Sequence, residues 1–276
     1  MVIIMIRIGC LGPDGTFSQL ALRRYVEDKP HTEVQYSSIP ELMIAASNDE
    51  VDLAVVPIEN SLEGGVNTTL DALALHENLT IICEMLFIVH QNLLSNSPLG
   101  EITHIYSHPQ PVGQCGKYIS SSLAGVPIEF TASTALAAQR AANEKGAAAL
   151  GSDTLAEIYG LKIVAPAIED NSANTTRFIV IGKQATIPSD CDKTSIVFGV
   201  EDKPGSLFKI LSIFDIFGIN MMKIESRPAK TVLGEYLFFV DIEGNMENED
   251  IKKALELIEY KASYYKNLGS YKKAEL

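Results

Sequence analysis

The stretch Asp52-Leu53-Ala54-Val55-Val56-Pro57-Ile58 constrains the fold of this chain most, because it is an almost continuous apolar run. A strand has this composition when both faces of its sheet are covered, which calls for helices packed on either side. The flanking sequence supplies them. Ile4 to Cys10 reads as a strand, Phe17 to Val26 as a helix, Glu33 to Ser37 as a strand and Pro40 to Ser47 as a helix. Ser38 is placed to cap that last helix, and Pro40 sits in the first turn, where its missing N–H costs nothing. The alternation is that of an α/β protein.

The pattern restarts after a strand-like segment, Thr80 to His90, and a polar turn, Asn92 to Gly100. Ile102 to Ser107, Ile128 to Phe130, Ala147 to Gly151 and Leu161 to Ala165 are candidate strands, with helical stretches at Pro111 to Ser121, Ala135 to Asn143 and Thr154 to Tyr159. Two α/β lobes around a cleft are expected, with ligands bound where loops gather outside the carboxyl ends of strands. A polar stretch near Lys183 to Lys193, containing Pro188, then separates strand-like Phe178 to Ile181 from strand-like Ser195 to Val200. From there the chain runs strand, helix (Gly205 to Phe217), strand (Asn220 to Ser226), strand (Glu235 to Ile242), helix (Glu249 to Tyr260) and a short final strand near Ser263 to Leu268, the βαββαβ ferredoxin-like order. The charged tail, Gly269 to Leu276, is expected to fray.

Composition narrows the function. With 276 residues, 46% of them hydrophobic, the chain can bury one large core or two modest ones, and two domains are expected. A formal charge of -13 and a pI near 4.8 argue against nucleic acid as a partner, since phosphate contacts need clustered Lys and Arg. A local basic pocket for a small anion is compatible with that balance. The opening MVIIMIRIGC is short and lacks a basic leader, so it reads as a buried strand rather than a signal peptide, and no apolar run is long enough to span a bilayer. A cytoplasmic protein with no membrane partner is expected. Cys10, Cys83, Cys115 and Cys191 are scattered without a CxxC pair, which fits reduced thiols better than disulfides or a metal site.

Several loops carry candidate chemistry. Gly12-Pro13-Asp14-Gly15-Thr16-Phe17-Ser18 follows a strand and opens a helix, where free N–H groups can hold a carboxylate; equally, Thr16 or Ser18 can simply cap the helix. Its glycines lack the spacing of a dinucleotide site. The apolar strand runs into Glu59-Asn60-Ser61-Leu62-Glu63-Gly64-Gly65, which can present Asn60, Ser61 and backbone amides to a ligand or serve as an ordinary turn. Ser107-His108-Pro109-Gln110-Pro111 ends another strand, with Gln114 and Cys115 beyond it, and Ser133-Thr134 starts a further helix. Glu169 to Phe178 enters the last strand of the first domain with many polar groups together. There Arg177 offers a planar fork suited to a carboxylate, or to a surface salt bridge, beside the hydroxyl of Thr176.

Taken together, GPDGTFS, DLAVVPIENSLEGG, SHPQ with its following QC, and NTTRF resemble the prephenate dehydratase family in content, order and spacing, over nearly the whole chain. The C-terminal part resembles an ACT domain through Pro204-Gly205-Ser206-Leu207-Phe208 and Glu225-Ser226-Arg227-Pro228, with Ser206 where the family often has Ala. The resemblance implies a two-lobed, periplasmic-binding-protein-like catalytic domain over residues 1–185 and an ACT regulatory domain over residues 193–272. It implies a cofactor-free lyase that converts prephenate to phenylpyruvate and answers to L-phenylalanine, working as a homodimer or homotetramer. Because the first strand starts near residue 1, a monofunctional enzyme without a chorismate mutase module is expected.

By the same resemblance Thr176 is the catalytic residue, and Thr16, Ser18, Asn60, Ser61, Gly64, Ser107, His108, Thr175, Arg177 and Phe178 bind substrate, with Arg177 clamping a carboxylate. The effector would meet Gly205, Ser206, Leu207 and Asn220, supported by Glu225, Ser226, Arg227 and Pro228. Two other readings stay open on sequence: an arogenate dehydratase, whose substrate carries an amine in place of the keto group, and a non-catalytic sensor of small carboxylates.

Overall fold

A computed structural model of the chain describes residues 5–27, 29–183, 192–230 and 235–275. Met1 to Ile4 of the expected first strand, and most of the expected linker with Pro188 and Cys191, lie outside the described residues.

Along the chain the elements are β1 (Ile6–Leu11), α1 (Phe17–Val26), β2 (His31–Tyr36), α2 (Ile39–Ser47), β3 (Leu53–Asn60), β4 (Gly64–Gly65), α3 (Asn67–Leu75) and β5 (Thr80–Ile88). Then come β6 (Asn92–Ser95), β7 (His104–Ser107), α4 (Pro109–Gln114), α5 (Gly116–Ser122), β8 (Ile128–Phe130), α6 (Thr134–Ala142), β9 (Ala147–Gly151), α7 (Asp153–Tyr159), β10 (Lys162–Ala165) and β11 (Thr175–Gly182). The last are β12 (Lys193–Gly199), α8 (Ser206–Ile216), β13 (Met221–Pro228), β14 (Tyr236–Glu243), α9 (Glu249–Lys261) and β15 (Tyr264–Tyr271). They form two compact units. One is built from the segment ending at Leu11, from Tyr25–Leu86 and from Arg177 onward; the other from Gly12–Arg24 and Phe87–Thr176.

In the first unit a six-stranded sheet runs β2-β1-β3-β11-β5, with β4 paired to β3 and with β1 parallel to both of its neighbours. The long apolar run of the sequence is β3, in which Ala54, Val55 and Val56 are fully buried. Ser38 caps α2 through the Glu41 N–H at 3.4 Å, as its position predicted. A four-stranded antiparallel sheet, β13-β14-β12-β15, completes this unit and carries the βαββαβ order expected from the sequence.

That smaller sheet is two-faced because side chains alternate along a strand. Ile196, Phe198, Val240 and Ile242 meet Ile210, Phe214, Ala254 and Ile258 of α8 and α9. Val197, Phe239 and Tyr271 instead join the core of the six-stranded sheet, with Leu42, Leu70, Leu73 and Ile81. Fully burying an aliphatic side chain contributes about 1.5–3 kcal/mol, so this shared core is a substantial bond between the two sheets.

The second unit is a five-stranded sheet, β10-β6-β9-β7-β8, with β7 parallel to β8 and β9. Its core sets alanines of α6, among them Ala135, Ala137, Ala138 and Ala141, against Leu94, Ala147 and Ala149.

Three expectations need correction. Asn92 to Ser95, expected to be turn, is a buried strand, because its polar groups are bonded internally: Asn92 Nδ2 donates to the Gly151 carbonyl at 3.3 Å and Ser95 Oγ to the Ala147 carbonyl at 2.6 Å. The tail does not fray at Gly269. β15 extends to Tyr271, which is fully buried, and the Ala274 N–H reaches Glu84 at 2.9 Å. The helical stretch Pro111 to Ser121 breaks at Cys115 into α4 and α5.

Candidate active site and effector region

In the six-stranded sheet the adjacent parallel strands β1 and β3 end at Leu11 and Asn60, on one edge, and each runs into a motif loop. Asn60 Oδ1 accepts the N–H groups of Leu62 at 2.9 Å and Glu63 at 3.2 Å, a local turn that brings Asn60 opposite Gly64 and Glu59 opposite Gly65. Gly64 has φ +81°, in the left-handed region, which this tight return requires. Ser61 is exposed at the tip.

Arg177, near the start of β11, lies at the same edge, for its Nη1 is 3.3 Å from Glu59 Oε2. Its guanidinium is not open to a ligand. Nη1 donates to Asp241 Oδ2 at 2.6 Å, Nη2 donates to Tyr271 Oη at 2.9 Å, and Nε lies 2.7 Å from Glu84 Oε2, without hydrogen-bonding alignment. Lys193 Nζ joins the cluster 2.9 Å from Glu84 and 3.5 Å from Asp241. Two cations and two carboxylates are thus buried together and balance in charge. Burial disfavours the charge on Arg177, yet Tyr271, Asp241 and Glu84 outweigh it and hold its pKa well above the ordinary value. Burial likewise opposes ionisation of Asp241, and Arg177, Lys193 and Ser195 overcome it, so its pKa is lowered. Since Ser195 Oγ donates to Asp241 Oδ1, the hydrogen bond between Ser195 and Tyr271 has the phenol as donor. The sequence allowed Arg177 a substrate carboxylate or a surface salt bridge; the fork is instead buried on acids of its own chain. Phe178 is also buried, at 3% exposure.

The second unit holds the other candidates. Gly15 has φ +84°, and a Cβ there would lie 2.6 Å from Leu155 Cδ2, so the glycine lets the first loop press onto α7. Thr16 Oγ1 accepts the Gln19 N–H at 3.3 Å and Ser18 is buried. Ser107, at the carboxyl end of β7, donates to the His108 carbonyl at 2.8 Å, while His108 Nδ1 caps α4 through the Gln110 N–H at 3.4 Å. Thr175 and Thr176 are half-buried at the start of β11. The segment before them is fixed by amides that sequence reasoning missed. Asn174 Nδ2 donates to Gln114 Oε1 at 3.3 Å, Gln91 Nε2 donates to the same oxygen at 3.2 Å, and the Asn174 carbonyl accepts from Val89 at 2.8 Å. Gln114 and Asn174 stood inside the QC and NTTRF motifs, but nothing in the sequence said that they meet, and Gln91 stood outside any motif.

The effector candidates divide between faces. Residues directly opposed in an antiparallel pair share a face, so Ile224, Ser226 and Pro228, opposite Val240, Phe238 and Tyr236, lie on the side of α8 and α9. Gly205, with φ +81°, begins α8, followed by Ser206 and half-buried Leu207, and Asn220 donates to Glu243 at 3.2 Å. Glu225 and Arg227 sit on the opposite face. The Glu225 carboxylate packs on Gly65 where a Cβ would be, Lys223 Nζ bridges Glu225 at 3.0 Å and Glu59 at 3.2 Å, and Arg227 grips Asp71 of α3 at 3.1–3.2 Å. Expected to support the effector, these two residues anchor the small sheet to the large one.

An α/β framework with motif loops at its strand ends, joined to a ferredoxin-like sheet, defines a small-molecule enzyme carrying a regulatory module. The model of the prephenate dehydratase family matches residues 8–186, that of the ACT domain matches residues 194–257, and the chain belongs to the prephenate dehydratase family. It is 39% identical over 272 residues to the bifunctional chorismate mutase/prephenate dehydratase of Aquifex aeolicus, covering 98% of this chain and 75% of that one. Among solved structures, prephenate dehydratase from Arthrobacter aurescens in complex with L-Phe superposes with a TM-score of 0.88 at 32% identity, covering 97% of this chain and 90% of that one. GqqA, described as a novel type of quorum quenching acylase, does so with a TM-score of 0.84 at 28% identity, covering 96% of this chain and 97% of that one.

Proposed function

We propose that this protein catalyses the decarboxylating dehydration of prephenate to phenylpyruvate in phenylalanine biosynthesis, under allosteric control by L-phenylalanine. The observation that carries the reading is the family match across residues 8–186, with every catalytic motif of the sequence falling inside it. The reaction expels carbon dioxide and the ring hydroxyl as the ring becomes aromatic, so the protein has to hold two carboxylates and assist a leaving hydroxyl. Thr176 is the donor to that hydroxyl. Its own acidity is too weak for full proton transfer near neutral pH, so a water or a neighbour shares the proton's path. Thr16, Ser18, Asn60, Ser61, Gly64, Ser107, His108 and Thr175 complete the site. L-phenylalanine binds by the start of α8 and the outer face of β13, through Gly205, Ser206, Leu207, Asn220, Ser226 and Pro228. The enzyme works in the cytoplasm as a homodimer or homotetramer.

The test is phenylpyruvate formation from prephenate by the purified protein, beside parallel assays with arogenate and with an acylase substrate. Prephenate turnover that falls by about 100 to 1,000-fold in Thr176→Ala, in a folded protein, is expected from losing one transition-state hydrogen bond. Turnover only of arogenate, only acylase activity, or full activity in Thr176→Ala would each overturn part of the reading: the substrate, the reaction, or the residue.

A further inference from the structure

The four-charge cluster at Arg177 lies where the two sheets of the first unit meet. Glu84 belongs to β5 and Arg177 to β11 of the large sheet; Lys193, Asp241 and Tyr271 belong to β12, β14 and β15 of the small one. Glu59 extends the chain of contacts outward, since its Oε2 is 3.3 Å from Arg177 Nη1 and 3.2 Å from Lys223 Nζ, which bridges on to Glu225 over Gly65. One continuous ionic path therefore runs from Asp241 through Arg177 and Glu59 to Lys223 and Glu225. It touches the strand that begins Thr175-Thr176 and the loop that begins at Asn60. β13, on which the path ends, presents Ser226 and Pro228 to its other face.

We infer that Arg177 is a positioning residue for dehydration rather than a substrate clamp, and that Asp241 and Glu59 are the groups through which the small sheet fixes it and, with it, the adjoining Thr176. The inference rests on the dehydratase reading above. A fork bonded to Asp241, Tyr271 and Glu59, with its Nε against Glu84 and the residue 7% exposed, is enclosed by acids of its own chain rather than open to a substrate carboxylate. It does fix the backbone of β11 one residue from Thr176, and a displacement of about 1 Å at a reacting group costs on the order of 100-fold in rate.

Three variants test this in the full-length protein: Arg177→Lys, Asp241→Asn and Glu59→Gln, the last at a side chain 33% exposed and so least threatening to the fold. Each is expected to lower kcat by about 10 to 100-fold, with KM for prephenate within about threefold of wild type. Each is also expected to move the half-inhibitory concentration of L-phenylalanine by at least about fivefold, the lower range of allosteric coupling. A KM raised more than about tenfold with kcat intact in Arg177→Lys would restore the clamp. Wild-type kcat and an unchanged phenylalanine response in Glu59→Gln and Asp241→Asn would remove the positioning role. Absence of phenylpyruvate formation by the wild-type protein, assayed alongside, would instead overturn the underlying reading, and the positioning role with it.

Discussion

Replacing Arg177 with Met removes the positive charge while keeping an unbranched side chain, and leaves Lys193 alone to compensate both Glu84 and Asp241. Deleting one partner of a buried ion pair costs about 3–5 kcal/mol, because the remaining charge is stranded. At roughly 2–4 °C per kcal/mol for a chain of this size, Tm is expected to fall by about 6–20 °C. The electrostatic origin gives this loss a pH signature. In the wild-type protein burial opposes ionisation of Asp241 but its partners prevail, so the lowered pKa stabilises the fold above the unfolded carboxyl value of about 3.9 and is lost only as pH falls through the folded value. Without Arg177, burial prevails and the folded pKa rises above the unfolded one. The penalty is then greatest when the carboxyl is ionised and shrinks as it takes up a proton. Thermal unfolding of both proteins followed by circular dichroism should show a wide gap near about pH 8 that narrows toward about pH 5. A gap of equal width at both, or a variant as stable as wild type, would refute the reasoning.

Local geometry sets two more outcomes. Gly269 has φ +118°, and a Cβ there would lie 2.6 Å from the Ile81 carbonyl oxygen, so Gly269→Ala should cost at least about 1–3 kcal/mol; an unchanged denaturation midpoint would contradict the packing of β15 on β5. The thiol of Cys115 is buried, and burial together with Glu169 and Asp170 pushes its pKa up to about 12, so it should resist alkylation in the folded protein at mildly alkaline pH and react promptly once denaturant is added. Equal labelling of Cys115 in both states, read by peptide mass, would contradict this.

The elements legible in the sequence were those whose local pattern agreed with their surroundings. β3 announced itself because it is buried on both faces, and α2 because Ser38 and the proline signal its start. β6 was hidden, since Asn92 and Ser95 are turn-forming residues until the Gly151 and Ala147 carbonyls are brought to them from across the sheet. β15 was legible only as far as Leu268: its buried end at Ser270 and Tyr271 was hidden because these residues run into the charged tail, and so was the burial of the Lys266 ammonium against the carbonyls of Leu73 and His76. The motif loops were visible as motifs, but the partners of Arg177 were not. Asp241 lies 64 residues beyond it and Tyr271 lies 94, and no local pattern says which carboxylate a guanidinium will choose. For the same reason Glu225 and Arg227 could be placed in a motif but not on a face.

The interlocking of the two sheets bears on how portable the regulatory module is. The end of α3 is finished by residues that come almost two hundred positions later, with Tyr264 Oη donating to the Ala74 carbonyl at 2.7 Å and Lys266 Nζ to Leu73 and His76 at 2.6 and 2.7 Å. A chimaera made by cutting near Lys193 and attaching a foreign ferredoxin-like regulator would inherit a helix with unfilled carbonyls and an arginine without Asp241 and Tyr271. Grafts should succeed in proportion to how many of Lys193, Asp241, Tyr264, Lys266 and Tyr271 the incoming module reproduces, whatever its affinity for its own effector. In this protein the small sheet completes the core and the α3 terminus of the large one, so a substitution on either side of that shared core acts on both.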